Sequence, residues 1–405
     1  MMQSPFAPVE PLSDAAYAVM RRRAIFDCHK WDPQVGDANV IAPHPLIIRR
    51  DAWNALVPLA EALARETLAA EDELVARSDL HRQLGLPRAV RAALAAARRL
   101  GRPAGVARIV RFDFHHTTDG WRISEANSDV PGGLNEASGF ARLMAPHYPL
   151  AAPVGDPAAA YVDALIGACG QKPTIALVHA TAYSDDLQMM KYLADRLIAA
   201  GARTHLSSPA HVHWQDGRAH LDARWWRGPL DAVVRFFPAD WLGQLPQRAG
   251  WTAAFAGSVT PLSNPATAVL TQSKRFPLVW NQLQTPLPTW RSLLPETRDP
   301  RDAPWRGDDA WVLKPALGRV GEGVTIAEHV EPKELRRIRR TAAWWPGSWI
   351  AQRRFTSEPC LLAGRMVHVC LGVYTIDARV AGAYGRIAER PLVDARAKDA
   401  AVLAA

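Results

Sequence analysis

Apolar and polar positions change their period several times along the chain, and each change marks an element. From Asp51 to about Leu100 apolar residues recur at three and four ("WNALVPLAEALARETLAAEDELVAR", then "PRAVRAALAAARRL"). That spacing predicts two amphipathic helices, split at Gly85 and Pro87. A short helix is expected at "DAAYAVMRRRAIF" in the proline-rich residues 1–50, with an extended "VIAPHPLIIR" after it. Between 108 and 127 the period drops to two: "RIVRFDF" and "GWRISEANS" flank "HHTTDG", where Asp119-Gly120 signals a tight turn between strands. In 151–260, "PTIALVHA" reads as a buried strand, "DDLQMMKYLADRLIAAG" as a helix ended by Gly201, and "ARTHLSS" as a second strand. A hairpin "VHWQDGRAHL" turning at Asp216-Gly217 and a strand "LDAVVRFF" follow, and the strand–helix–strand order indicates a parallel α/β unit.

From Pro261 onward the pattern gives a helical segment "ATAVLTQSKRFPLVWNQL", a strand "AWVLKP", a glycine-rich loop and a strand "VTIAEH". A helix from about 331 to 343 and strands "SWIAQRRF", "HVCLGVYTID" and "ARVAGAYGRI" complete the series, with no internal repeat. At 405 residues two or three domains are expected. No run approaches the roughly eighteen apolar residues of a membrane span, and "MMQSPFAPVEPLSDAAY" lacks a signal-peptide pattern. Cys28, Cys169, Cys360 and Cys370 form no CxxC, so neither a disulfide framework nor a zinc site is indicated. The expectation is a soluble, cytoplasmic protein without a membrane partner.

Charge adds a question. The net charge of +8 and a pI near 9.6 suit either a nucleic-acid surface or an anionic small substrate such as a nucleoside triphosphate. The run "RRIRR" at 336–340 lies in the expected helix, where it reads as a solvated face, and no nucleic-acid-binding module is recognisable. Composition does not separate the two.

The hairpin carries the first candidate chemistry. Side chains alternate along a strand, so Arg111 and Asp113 share one face, as do Glu125 and Asn127. Folding about the turn sets Asp113 nearly opposite Glu125. Two carboxylates and a carboxamide oxygen on one side would suit Mg2+, which takes a few protein oxygens plus phosphate and water. The plain alternative is a wet strand face with ordinary charges. The second candidate is "WVLKPALGRVGEGVTI": Lys314 closes an apolar strand and Gly318, Gly321 and Gly323 follow. Such a loop lets backbone N–H groups approach phosphates, although glycines between strands also simply make hairpins. Only seven of the 48 cations are lysines, so Lys314, and Lys274 in "TQSKRFPLVW", stand out against an arginine background. Snorkelling stems on apolar surface would explain either.

"RFDF…DG…EAN…PGG" resembles the metal-binding end of the ATP-grasp ligases, whose Asp, Glu and Asn bind the Mg2+ that bridges the ATP phosphates. More closely, Arg111, Asp113, Glu125 and Asn127, with "QSKRFPLVW", "LKPALGRVGEGV" and "WIAQRRF", resemble elements of the glutathionylspermidine synthase group. The lysines follow the acidic strands, which is the circularly permuted order of that group, and the likeness spans about residues 30–405. It implies an α/β (α+β) ATP-grasp fold with a small pre-ATP-grasp α/β domain. The expected division is 1–150 (helices and metal-binding hairpin), 151–262 (pre-ATP-grasp-like) and 263–405 (nucleotide-binding lid and C-terminal strands). The amidase domain of some members is not expected, since no Cys/His arrangement offers a thiol nucleophile.

What the resemblance implies for the site is ATP held by Lys274, Lys314 and the loop Gly318, Gly321 and Gly323, with Gln352 towards adenine. Mg2+ would sit on Asp113, Glu125 and Asn127, and Arg111 and Arg386 would face the transferred phosphoryl group. The activity implied is an ADP-forming ligation of a small-molecule or peptide carboxylate with an amine, through an acylphosphate. In the group the carboxylate is a peptide C-terminus such as glutathione's glycine, and the amine a polyamine. Asp129, Glu136, Asp185 and Asp186 are the acids available to receive a polycation, each otherwise a helix cap or solvated turn. A carboxylate kinase, a non-catalytic ATP-binding module and a basic nucleic-acid-binding protein are the rival readings. Oligomeric state is open.

Overall fold

The period-two segment folds around its turn: strands Ile109–Thr117 and Gly120–Asn127 pair antiparallel, with Gly120 at φ +96°. They form one edge of an eight-stranded sheet whose order runs Leu46–Ile48, Lys398–Ala404, Arg379–Ala388, Arg365–Ile376, Ile109–Thr117, Gly120–Asn127. Cys360–Leu362 pairs with Arg365–Ile376, and Ala152–Pro153 with Lys398–Ala404. The early hairpin and the end of the chain therefore share one sheet. The protein is described by a computed structural model covering residues 4–36, 38–100, 105–255, 258–318, 330–394 and 396–405. The expected strand "VTIAEH", and Gly321 and Gly323, lie outside the described residues.

One face of this sheet is apolar. Phe112, Phe114, Ile123, Leu371 and Val373 are buried in the main core together with Leu56, Ala60 and Leu63 of the helix Arg50–Ala76. Alternation then forces Arg111, Asp113, Cys370, Tyr384 and Arg386 onto the opposite face. A second sheet is all parallel, in the order Leu262–Ser263, Ala232–Phe236, Thr174–His179, Arg203–Ser207. The helices Pro157–Cys169 and Ser184–Ala199 contribute Tyr161, Leu165, Leu193 and Leu197 to its core. A third sheet orders Thr297–Arg298, Trp349–Arg353 and Trp311–Pro315 antiparallel. The helix Pro332–Trp344 packs Ile338 and Ala342 on it.

Several elements differ from expectation. "ATAVLTQSKRFPLVWNQL" is not one helix; it divides into Ala266–Ala268, Val269–Gln272 and Phe276–Gln282. The break has a cause: Ser273 is extended (ψ 126°), the Lys274 N–H donates to the Ala316 carbonyl at 2.8 Å, and Pro277 has no N–H to offer. The helix Pro157–Cys169, capped by Asp156 accepting from the Ala159 N–H, and the strand Lys398–Ala404 were not expected from the pattern. No described helix is long and apolar enough to cross a membrane.

Gly372 fixes how closely the central strands support the polar face. A Cβ there would meet the Tyr384 ring at 2.6 and 2.9 Å and the Arg111 Cδ at 3.0 Å. The ring is rigid and lies against the sheet, so neither neighbour yields cheaply. Gly372→Ala should lower unfolding stability by about 1–3 kcal/mol, read from the denaturant midpoint. An unchanged midpoint would show that the ring moves freely.

Candidate functional site

Cross-strand register builds the floor of the site. Glu125, Asp113, Gly372 and Tyr384 lie in one row across four strands. Asn127, Arg111 and Tyr374 form a neighbouring row, and Cys370, Arg386 and Asp399 another. Asp113 sits directly opposite Glu125, as the hairpin pattern predicts. The register shifts just beyond, where Phe114 pairs with Ile123, so Ser124 is an extra residue on its strand. Strict alternation would turn Ser124 away from Glu125; with the shift both line the same cleft.

That cleft has a volume of about 730 Å³. Its lining includes Arg111, Asp113, Glu125, Asn127, Lys274, Lys314, Gly318, Gln352 and Arg386. Every site residue predicted from sequence that falls within the described residues is thus brought to one place. Lys274 enters from the helix break: its Nζ reaches Glu125 Oε2 at 3.0 Å and donates to the Gly318 carbonyl at 2.7 Å. Lys314 enters from the third sheet and donates to Gln352 Oε1 at 2.8 Å and to the Ser124 carbonyl at 3.2 Å. Gln352 Nε2 in turn donates to Thr297 Oγ1 at 3.0 Å, so in this structure both ends of its amide are engaged. Arg111 grips Asp113 with two bonds, Nε to Oδ1 at 2.7 Å and Nη2 to Oδ2 at 2.9 Å. Its Nη1 holds the Gly132 carbonyl at 2.8 Å, and its guanidinium lies 5.2 Å from the Tyr384 ring centre.

Burial and neighbouring charge set the protonation of this end. Burial alone would raise the Glu125 carboxyl, but Lys274, Lys314 and Arg111 outweigh it and hold it at about 2. Lys314 is lowered to about 8, chiefly by burial; Glu125 opposes the shift and Lys274 adds to it. His115, also in the lining, falls to about 4 through burial and the nearby Lys314, so it is neutral at pH 7. Cys370 beside Asp113 is raised well above the usual thiol value by burial, which keeps it protonated.

The other end of the cleft holds Lys30, Asp32 and Asp399, which the sequence reading missed, together with Arg386 and Glu136, which it named. Lys30 Nζ binds Glu136 Oε1 at 2.6 Å and Asp399 Oδ2 at 3.0 Å, and Arg386 Nε lies 3.6 Å from Asp399 Oδ1. Arg386 also donates to the Asp394 carbonyl at 2.6 Å. Burial opposes the Lys30 charge, yet Glu136 and Asp399 raise its pKa overall. Lys30 is one of the seven lysines, so the rarity argument applied to Lys274 and Lys314 would have found it. Asp32, Asp185, Asp186 and Glu136 line this end. Asp129 does not. It is buried in an ion pair with Arg235 and accepts from the Ala239 N–H at 2.9 Å, so it is neither a cap nor a solvated turn. Its role is to bind the parallel sheet to the hairpin.

The oxygens of the facing acids bear on which metal ion the site suits. Among the described residues no three His, Cys, Asp or Glu side chains gather to hold one. Asp113, Glu125 and the Asn127 carboxamide carry hard oxygens on one face, and Asn127 Nδ2 donates to Asp113 Oδ2 at 3.3 Å. They fit a cation that completes its shell with phosphate oxygens and water, as Mg2+ does, rather than an all-protein cage.

The Glu125–Lys274 pair makes a measurable prediction. Glu125 is lowered from 4.5 to about 2, so its stabilisation is fully present above about 4.5 and is lost as pH falls towards 2. Glu125→Gln should therefore be less stable than wild type at pH 7. The difference in melting temperature should narrow between about pH 4.5 and 2. A gap that is independent of pH in calorimetry would show that the carboxylate charge is not what stabilises.

Comparison with known proteins extends the geometry. The family model described as glutathionylspermidine synthase preATP-grasp matches residues 48–400. A glutathione synthetase-like effector (GSS30) from Globodera pallida, solved in apo form, superposes with a TM-score of 0.62 at 11% identity, over 99% of this chain and 97% of that one. That likeness bears on fold alone. A putative gamma-glutamylcysteine synthetase from Methylobacillus flagellatus KT gives a TM-score of 0.42 at 15% identity, over 76% of this chain and 81% of that chain, too distant to carry argument. A search of curated protein sequences gave no match. The architecture is that of the ATP-grasp-type synthetases, and the chain belongs to the glutathionylspermidine synthase preATP-grasp family.

Proposed function

We propose that this chain is an ATP-dependent carboxylate–amine ligase that forms an amide through an acylphosphate and releases ADP and phosphate. The observation that carries the reading is the convergence of Asp113, Glu125, Asn127, Lys274 and Lys314 on one cleft. These residues come from segments up to 201 positions apart, as the Asp113 and Lys314 numbers give. The cleft falls in the size range of small-molecule sites.

Asp113, Glu125 and Asn127 would hold Mg2+, which when bound would offset phosphate charge. Lys274 and Lys314 exchange their present partners, Glu125, Gly318, Ser124 and Gln352, for phosphate oxygens. The substrate carboxylate attacks the γ-phosphorus, forming the acyl–phosphate bond as the bond to ADP breaks. Arg111, with Arg386, stabilises the charge on the group in transit. An amine then attacks the acyl carbon, phosphate leaves, and the amine's proton passes to solvent or a nearby carboxylate. The acidic end, with Asp32, Glu136, Asp185 and Asp186, suits an amine that carries positive charge. Small-molecule or peptide carboxylates and polyamines are accordingly the first substrates to try.

ADP release with Mg·ATP, measured against small peptides and amines, tests the reading. Asp113→Ala should lower kcat by at least about 10²-fold. Turnover untouched by that substitution sinks the assignment, and ADP released with acylphosphate as the final product would make the protein a carboxylate kinase.

The Lys314 ammonium gives a pH signature. With a pKa of about 8 it is charged below that value and loses charge above it. In wild type, kcat/KM for ATP should fall as pH rises through about 8. In Lys314→Arg, whose guanidinium stays charged, that limb should flatten. Identical profiles would remove Lys314 from the phosphate contacts.

A further inference from the structure

The helix Pro332–Trp344 has one face that no part of the proposed chemistry uses. Its buried side is Ile338 and Ala342, packed with Trp305, Trp311 and Leu313 against the third sheet. At 100° per residue, Lys333, Arg336, Arg337, Arg340 and Trp344 fall within one arc on the opposite side. The four cations are all exposed. At the end of the stripe Trp344 is 67% and Trp345 60% exposed, their rings packed edge to face 5.9 Å apart. Arg340 lies over the Trp344 ring at 5.8 Å.

We propose that this face is a docking surface for an anionic phospholipid bilayer. Two large indoles left in water are costly, and a stripe of like charge on one face is self-repelling, so both features call for a partner. The patch points straight outward from the sheet, opposite the helix's buried side. It forms a ridge about 16 Å long, the rise of 11 helical residues, and a ridge fits a broad flat surface better than a narrow groove. The pairing of indoles with arginine and lysine matches the bilayer boundary, where tryptophan rings sit at headgroup depth and cations meet lipid phosphates. Glu334 offsets Arg337 with bonds of 2.7 and 2.5 Å, which leaves Lys333, Arg336 and Arg340 as the principal cations.

The test is co-sedimentation of the full chain with vesicles of phosphatidylcholine alone and of phosphatidylcholine with phosphatidylglycerol. Binding should require the anionic lipid and collapse in ~1 M salt, where the screening length is about 3 Å. The double variant Arg336→Glu/Arg340→Glu should lose at least about tenfold in vesicle affinity. Trp344→Ser/Trp345→Ser should also bind more weakly, while the salt dependence persists. Both doubles change exposed residues away from the cleft, so thermal unfolding and ADP release should match wild type and confirm that the chain is folded. Failure to sediment with anionic vesicles overturns the proposal, as does equal binding by wild type and the charge variant. Stripe-dependent binding of single-stranded RNA in place of vesicles would also overturn it and make the face a nucleic-acid surface.

Discussion

Two carboxylates set directly opposite each other on one sheet face are the constraint around which the rest of the cleft is arranged. Asp113 and Glu125 are cross-strand partners, and like charges in that position repel. At roughly 5 Å and an effective dielectric constant near 20 the repulsion is about 3 kcal/mol. The protein answers it separately for each acid: Arg111 grips Asp113 from the same strand, and Lys274 reaches Glu125 from a distant helix break. The broken helix at Ser273–Lys274 is part of that answer, since a continuous helix would not present the Lys274 backbone to Ala316 and its ammonium to Glu125. Under the proposed function these same lysines turn to phosphate while a cation takes their place at the acids. The exchange keeps the local charge nearly balanced, so substrate binding need not strand a buried charge.

A flat ladder alone would not make the floor. Two local features of the sheet shape its polar face. The register shift at Ser124 turns its carbonyl to Lys314 and its hydroxyl to within 3.1 Å of His115 Nε2. Gly372 removes one side chain from the row between Asp113 and Tyr384, and the Arg111 stem and Tyr384 ring fill the space. The opposite face stays apolar because Phe112, Phe114, Leu371 and Val373 pack on the helix Arg50–Ala76. Core burial on one side therefore positions chemistry on the other, through nothing more than alternation.

The hairpin and its facing acids were legible because turn chemistry and period two are local signals. Lys274 and Lys314 were legible through their rarity and through the family resemblance. What the sequence did not disclose depends on distant segments meeting. Lys30 lies beside Asp399 only because residues near both ends of the chain come together at the cleft. Asp129 reads as a turn acid until Arg235, from the parallel sheet, is known to cover it. The break near Lys274 was hidden because the apolar spacing continues through Pro277 and only the distant Ala316 carbonyl competes for the backbone.

The charges at the two ends of the cleft differ in kind, and the difference bears on what each end would accept. Around the facing acids, Arg111, Lys274 and Lys314 outnumber Asp113 and Glu125, so an added polyanion relieves an excess. Along the far wall the charges alternate as Glu136, Lys30, Asp399 and Arg386, each touching the next. Such a chain is close to neutral, and Arg386 Nε is buried in it without a hydrogen-bond partner among the described residues, in keeping with the phosphoryl contact proposed for it. At the other end of the chain Glu136 Oε2 is likewise buried without a hydrogen-bond partner among the described residues. A buried carboxylate oxygen with no donor is costly, and a single ammonium group would satisfy it. Asp32, Asp185 and Asp186 line the same end and would extend the attraction to further positive charge. On the proposed function the Glu136 oxygen and the acids near it favour the amine, while the cations around the facing acids favour the nucleotide.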